Sequence, residues 1–440
     1  MKQLALSFHL QEGRAPYTMT KAKYGTFQDS KSAPIHRWFQ YPAGFSYKAV
    51  EEIIHQDNLR PGKVLYDPFM GTGTTLVAAK LKGIESYGVE AHPFVFEVAA
   101  TKLSWEYDYN ELNSKIKEVL KEVKEKIRRS NLSRVDLAEY PELVRKCFSD
   151  DNLARLHLIK SSVVSQKEPY LSFFKVALTC ALRIASGAAT GWPYIAPKKK
   201  IQEVDGLVAF QRILDMMYGD LYECARQPEI AEAHPLKGDS RNTKGLIEDK
   251  IFDSVFTSPP YLNNYDYADR TRLETYFWEF AKTWGEITEK VRTKLIISAT
   301  TQINRNEFNG TPVNDAIKEA DKSVYTDLAD KVVNLSRIRL TKGGKKDYDL
   351  MVAGYFNDMF RVLQDVYRTM KKKAKFHLVL GDSAPYGVYI PIYDYIGKLG
   401  LAIGFSGYDV EMLRARGGKW ENNPQRHSVD LTEGILSFTK

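Results

Sequence analysis

The run Val64-Leu65-Tyr66-Asp67 is short and apolar. A turn bearing two glycines follows, Pro68-Phe69-Met70-Gly71-Thr72-Gly73, and then a helical stretch over 74–82 built on Leu76, Val77, Ala78, Ala79 and Leu81. The pattern predicts a buried strand, a tight turn, and a helix with a threonine near its N-cap that ends at Gly83. Residues 86–90 read as the next strand. Strand, glycine turn, helix, strand is the opening unit of a doubly wound α/β sheet. Over 111–129 the period changes: Leu112, Ile116, Val119, Leu120, Val123 and Ile127 recur at helical spacing among Lys and Glu, which predicts an amphipathic helix with a solvated charged face. Helical patterns continue to about Pro235, broken by the basic, aromatic loop Trp192-Pro193-Tyr194-Ile195-Ala196-Pro197-Lys198-Lys199-Lys200. Sheet-like punctuation resumes at Leu236-Lys237-Gly238-Asp239-Ser240, and a strand at 252–257 runs into Ser258-Pro259-Pro260-Tyr261. Residues 266–349 are polar and partly helical. A helix over 355–370 with Phe356, Met359, Phe360, Leu363 and Val366 on one face, a strand over 376–382, a helix over 392–399, a strand near 401–405 and a last strand over 434–438 complete the expected sheet.

This order divides the chain into an N-terminal half-sheet (1–103), a helical insertion (104–234), a second half-sheet (235–265 and 350–440) and a second insertion (266–349). At 440 residues the chain is long enough for a core domain with insertions, and 43% hydrophobic and 27% charged residues are ordinary for a globular protein. No apolar run approaches the roughly 18 residues that a membrane span needs. The interrupted start, with His9, Gln11 and Glu12, makes a poor signal peptide, so the expectation is a cytoplasmic protein without a membrane partner. Cys147, Cys180 and Cys224 are sparse, odd in number and not at metal-ligand spacing, which suits a reducing compartment. A net charge of +8 favours a polyanionic partner.

Two constellations carry chemistry. In the first, Gly71 and Gly73 let the backbone approach a ligand at the carboxyl end of a strand. No third glycine stands near Leu76 and no Gly-Lys-Ser/Thr follows, so neither a dinucleotide fingerprint nor a P-loop is present. Glu90, ending the second strand, can accept hydrogen bonds from both hydroxyls of a ribose. That suits an adenosine ligand without a pyrophosphate. In the second, Thr257-Ser258-Pro259-Pro260-Tyr261, two prolines stiffen the turn and hold the Ser258 hydroxyl and the Pro259 carbonyl at the strand end. Both oxygens can accept hydrogen bonds from an amino group. Tyr261 offers a flat face on which a flipped-out base can stack. None of the cysteines follows a proline at a motif position, so a cysteine nucleophile acting on a pyrimidine ring carbon is not expected.

Together the two motifs resemble the amino-methyltransferase family of DNA-modifying enzymes. The resemblance covers about half of the chain and implies a Rossmann-like methyltransferase fold, a doubly wound, mostly parallel seven-stranded sheet with helical insertions. It implies S-adenosylmethionine as cofactor, with Asp67, Pro68, Phe69, Gly71, Gly73 and Thr74 in the cofactor motif, Glu90 as the ribose acid and Asp239 near the adenine amino group. It makes Ser258, Pro259, Pro260 and Tyr261 the catalytic turn. The Ser-Pro-Pro-Tyr form is similar to the cytosine-N4 subgroup, whereas adenine-N6 enzymes more often carry Asp or Asn at the position of Ser258. The segment from His36 to Ser46 resembles the family's N-terminal cofactor motif. The implied partners are double-stranded DNA and a cognate restriction endonuclease acting separately. The lengths of the two insertions fit no subgroup neatly and leave open which one reads DNA.

The expected reaction is a direct in-line transfer of a methyl group to cytosine N4. Hydrogen bonds to Ser258 and the Pro259 carbonyl would draw electron density onto the amino nitrogen, with neither a covalent enzyme intermediate nor a metal needed. Adenine-N6 methylation, RNA guanine-N2 methylation and a catalytically dead DNA-binding subunit are the alternatives. Candidate phosphate contacts are Lys198, Lys199 and Lys200; Arg337, Arg339, Lys342, Lys345 and Lys346; and Arg414, Arg416, Lys419 and Arg426. Asp382 sits at a strand end, where it either faces the pocket or caps a turn.

Overall fold

The computed structural model describes residues 21–41, 44–190, 194–307, 311–416 and 429–440. In chain order the strands are β1 (Val64–Asp67), β2 (Glu85–Glu90), β3 (Ala188–Ala189), β4 (Ala196–Lys200), β5 (Ala233–Lys237), β6 (Phe252–Thr257), β7 (Met370–Gly381), β8 (Gly407–Arg416) and β9 (Leu431–Thr439). Seven of them form one sheet in the order β5-β2-β1-β6-β7-β9-β8. The pairs from β5 through β7 are parallel, and β9 runs antiparallel to both β7 and β8. The strand order reverses between β1 and β6, so the crevice of a doubly wound sheet opens at the carboxyl ends of those two strands. The expected Rossmann-like methyltransferase fold is the fold observed.

The inner parallel strands β1 and β6 are largely buried because helices cover both faces. Helix Tyr47–Gln56 buries Ala49, Val50, Ile53 and Ile54 and starts at Ser46, whose hydroxyl accepts the Lys48 amide at 3.2 Å. Helix Thr74–Leu81 buries seven of its eight residues behind β1. Its N-cap is Gly73, at φ 82°, rather than a threonine. Helix Tyr348–Thr369, seven residues longer at its start than the pattern over 355–370 suggests, presses Met351, Phe356, Met359 and Leu363 onto β6 and β7.

The first insertion folds as helices Tyr109–Arg129, Glu142–Cys147, Asp150–Val164, Tyr170–Ala185 and Gly206–Cys224, which share one apolar core with helix Pro93–Leu103. Asp108, Ser149 and Asp205 cap three of them with side-chain acceptors. Buried Asn152 fastens two connections, donating to the Ala185 and Val204 carbonyls at 3.1 and 3.0 Å and accepting the Gly206 amide at 2.7 Å.

Three expectations are corrected. The strand expected near 401–405 is the end of helix Ile392–Ile403, closed by Gly404 at φ 130°, and the strand itself is β8, beginning at Gly407. The edge strand β5 starts at Ala233, inside the stretch read as helical, because an edge strand with no fully buried residue carries little apolar signal. The loop over 192–200 is partly strand, its last five residues forming β4 against β3; Trp192 and Pro193 lie outside the described residues. Among the described residues no helix is long and apolar enough to cross a membrane.

Gly88 lets β2 lie flush against the first turn and helix. A Cβ there would stand 2.7 Å from Leu76 Cδ1 and Met70 Cβ. Gly88→Ala is therefore expected to destabilise the fold by about 1–3 kcal/mol through overpacking, read as a lowered urea midpoint with an unchanged slope.

Candidate active site

The two motifs meet through one carboxylate. Asp67, the last residue of β1, is fully buried. Its Oδ1 accepts the Thr257 hydroxyl at 2.6 Å and the Phe69 amide at 2.9 Å, and its Oδ2 accepts the Thr75 hydroxyl at 2.5 Å. Thr257 is the last residue of β6, Phe69 belongs to the glycine turn and Thr75 to the helix behind it. Burial raises the Asp67 carboxyl to about 6, against the pull of its three donors. The expectation that the glycine turn and the proline turn share one crevice therefore holds.

That crevice is lined by Pro68, Phe69, Gly71 and Thr74 from the first motif and by Ser258 and Pro260 from the second. Gly71 and Gly73 have φ of 52° and 82°, the left-handed region that side chains disfavour. Glu90 stands at the end of β2 on the crevice wall. Its carboxylate accepts the His92 amide at 2.7 Å. Although some of its surface stays accessible through the crevice, the surrounding protein pushes its carboxyl up to about 7, and the amides of His92, Gly71 and Ala91 only partly offset this. Among the described residues it forms no ion pair, and the leading influences on it include no cation. Asp239 also lines the crevice, but its carboxylate is engaged by Arg241 at 2.8 Å, which pairs in turn with Asp358 at 3.2 Å. Ser240 donates to the Pro68 carbonyl and ties the end of β5 to the glycine turn.

Asp67 and Gly73 are not on the wall; they lie behind it and shape the turn. Pro259 is buried at the strand end. Tyr261 faces a second cavity, a cleft of about 800 Å³ on the other side of the proline turn. Its hydroxyl donates to Glu433 of β9 at 2.9 Å, and the Arg416 guanidinium lies over its ring at 5.3 Å from the centroid. Gly381 leaves room for this arrangement, since a Cβ there would come within 3.2 Å of the Tyr261 ring. Tyr267 lines both cavities, and its hydroxyl oxygen accepts the Tyr261 amide at 3.3 Å. The proline turn is thus the partition between a small, mostly apolar crevice and a large cleft carrying aromatic and arginine side chains.

The N-terminal segment contributes to both. Tyr41, Gly44 and Phe45 line the crevice, while Arg37, Trp38, Phe39 and Gln40 line the cleft. Pro42 and Ala43 of this segment lie outside the described residues. Of the basic candidates, Lys198, Lys199 and Lys200 are exposed on β4, and Arg337, Lys342, Lys345 and Lys346 are exposed at and beyond the end of helix Lys322–Thr341. Arg339 pairs with Asp347 at 2.9 Å, and Arg414 pairs with Glu433. Arg416 is in the cleft; Lys419 and Arg426 lie outside the described residues. Asp382 accepts the Thr432 hydroxyl at 2.6 Å and so ties the end of β7 to β9.

Residues 14–101 match the family model for N6 and N4 amino-methyltransferases, described as DNA methylase. That segment carries the glycine turn and Glu90, and the match is to the amino-methyltransferases. The chain is 26% identical to the Type II methyltransferase M.BsoBI of Geobacillus stearothermophilus over 95% of its own length and 88% of that protein's. It is 23% identical to the Type II methyltransferase M.AvaI of Nostoc sp., covering 87% of this chain and 82% of that one. It is also 23% identical to M.MvaI of Kocuria varians, over 92% and 90% respectively. It is a DNA methyltransferase of the amino type that uses S-adenosylmethionine.

The crevice suits that cofactor. An acid without a cationic partner calls for neutral donors, which a ribose diol supplies. Phe69, Leu295 and Ile296 give apolar faces for an adenine ring, and Lys294 brings a positive charge to the wall. Three of these residues were not legible in the sequence. Lys294, Leu295 and Ile296 come from the second insertion, about 200 positions from Glu90, and no local spacing announces them. Tyr267 could have been noticed as part of the tyrosine-rich run Tyr261 to Tyr267 directly after the proline turn.

Glu90 gives a pH test of the crevice. Ligand hydroxyls favour the ionised carboxylate, so S-adenosylhomocysteine should bind about tenfold more weakly at pH 6 than at pH 8, measured by isothermal titration calorimetry. Glu90→Gln should flatten that dependence. The same carboxyl holds its proton more tightly in the folded chain, about 7 against an ordinary 4.5. It therefore withdraws stability from the cofactor-free protein as pH rises through that window. Glu90→Gln is expected to raise the thermal midpoint at pH 8 and leave it nearly unchanged at pH 4.

Proposed function

We propose that this enzyme methylates the N4 amino group of cytosine in duplex DNA, as the protective half of a restriction-modification pair. The observation that carries the reading is the partition itself: Ser258 and Pro260 face the crevice, Tyr261 faces the cleft, and Thr257 is locked to Asp67 behind them. A base everted into the cleft would place its amino group at the turn, next to whatever the crevice holds. The relatives named Type II methyltransferases support the restriction-modification context. The serine at 258 favours cytosine over adenine through its likeness to the cytosine-N4 subgroup.

In this reading Phe69, Gly71, Thr74 and Glu90 hold the cofactor, with Pro68 and Gly73 setting the turn and Asp67 fixing it. Asp239 approaches the adenine while its carboxylate stays bonded to Arg241. Bound S-adenosylmethionine supplies an electrophilic methyl group. The chain's own part is positioning. The Ser258 hydroxyl oxygen and the Pro259 carbonyl accept the two amino hydrogens, which frees the nitrogen lone pair from the ring and aims it. The Tyr261 ring, pinned at its hydroxyl by Glu433, is a preset stacking surface, and the prolines prevent the turn from yielding. The first insertion, 104–234, and the second, 266–349, both remain candidates for reading sequence, and the half-sheets 1–103, 235–265 and 350–440 form the methyltransferase body.

The deciding measurement is mass spectrometry of nucleosides from DNA incubated with enzyme and cofactor. N4-methyldeoxycytidine is expected; N6-methyldeoxyadenosine instead would overturn the base assignment while leaving the family intact. Tyr261→Ala should lose about 1–3 kcal/mol of base stacking, seen as a 5- to 150-fold drop in kcat/KM with S-adenosylhomocysteine affinity unchanged. Unaltered turnover would remove Tyr261 from the base site.

A further inference from the structure

Among the described residues, one arginine of the cleft lacks hydrogen-bond partners. Arg270, at the end of helix Tyr267–Arg270, lines the cleft, is 2% exposed, and finds no hydrogen-bond acceptor for its Nε or Nη1. The acid near it is Glu274, which is fully buried and already bonded to Arg183. Arg183 also donates to the Gln40 carbonyl at 2.9 Å and packs its guanidinium over the Phe39 ring at 4.4 Å, so it is fixed in place. Two guanidinium groups thus share one carboxylate, and one positive charge is left over. Burial and the neighbouring Arg183 push the Arg270 pKa down, and Glu274 offsets this only in part. The other arginines of this cleft differ. Arg37 is paired with Asp220 and Arg414 with Glu433, while Arg416 donates to the Asp382 carbonyl at 3.0 Å.

An uncompensated buried charge is costly unless a ligand completes it. A neutral base carbonyl would satisfy an N–H group but not the charge. DNA brings one anion that satisfies both, the phosphodiester, and guanidinium groups bind phosphate through charge-assisted hydrogen bonds. Everting a nucleotide rotates its backbone, which carries the adjoining phosphates toward the cleft that receives the base. We propose that Arg270, positioned by Arg183 and Glu274, binds a phosphate flanking the everted nucleotide. This inference rests on the reading of the cleft as the entry for the base. It makes Arg270 a binding residue for the flipped backbone, distinct from the surface lysines that hold the rest of the duplex.

The test is a cycle of protein and DNA changes. The DNA is a duplex carrying the methylated site, with a neutral methylphosphonate replacing the phosphate on either side of the target nucleotide. The protein is wild type or Arg270→Met, with S-adenosylhomocysteine binding as the check of folding; Arg270→Lys replaces the variant if the first does not fold. Both kcat/KM and DNA affinity by fluorescence anisotropy are measured. Wild type should lose at least tenfold on one of the two modified duplexes. The variant should lose a similar factor on unmodified DNA and nothing further on that duplex. Indifference of wild type to both methylphosphonates, or losses that multiply in the variant, would overturn the proposal. A chain that binds the duplex with this pattern yet methylates no amino group would instead overturn the functional reading and leave the phosphate site standing.

Discussion

A single buried carboxylate organises this molecule. Asp67 has three donors from three different places in the chain: the turn that follows it, the helix behind that turn, and the end of a strand 190 positions away. A hydrogen bond to a buried acid is costly to remove, so the glycine turn and the proline turn cannot drift apart independently. The sheet supplies the coarse alignment, since β1 and β6 are parallel neighbours at the reversal of strand order. The carboxylate supplies the fine alignment, at the scale on which methyl transfer depends.

The same economy of fixed contacts appears on the other side of the proline turn. The Tyr261 hydroxyl ends on Glu433, Glu433 is balanced by Arg414, and Arg416 sits over the ring while bonding to the backbone beside Asp382. These groups come from β8 and β9, the antiparallel edge of the sheet. That edge is therefore part of the wall of the cleft, and the parallel half is part of the wall of the crevice. The partition between them is rigid because prolines set its backbone and threonine and tyrosine hydroxyls tie its two ends.

The sheet was legible in the sequence wherever a strand is buried on both faces. Val64–Asp67 is apolar up to its last residue and Phe252–Thr257 is apolar at Phe252, Val255 and Phe256; both are bounded by turn residues, and their chemistry sits immediately after them. Edge strands were harder. The β8 residues alternate between half-buried and exposed, and the apolar start of the preceding loop drew the expected strand several residues too early. Among site residues, those in contiguous motifs were legible because the turn itself gives them their function. Lys294, Leu295, Ile296 and Arg270 were not, because what matters about them is the wall they reach and the partner they lack. Asp239 was found, but its engagement with Arg241 was not, since the pairing also depends on Asp358, more than 100 positions on.

Glu433 lies on the final strand of the sheet, whereas the glycine turn lies near the start of the chain. During synthesis the cofactor-side elements leave the ribosome long before β9 does. Until that strand inserts between β7 and β8, the tyrosine beside the prolines has no anchor for its hydroxyl. Nascent chains can thus form the crevice well ahead of the wall of the cleft, which waits for the strand that carries Glu433.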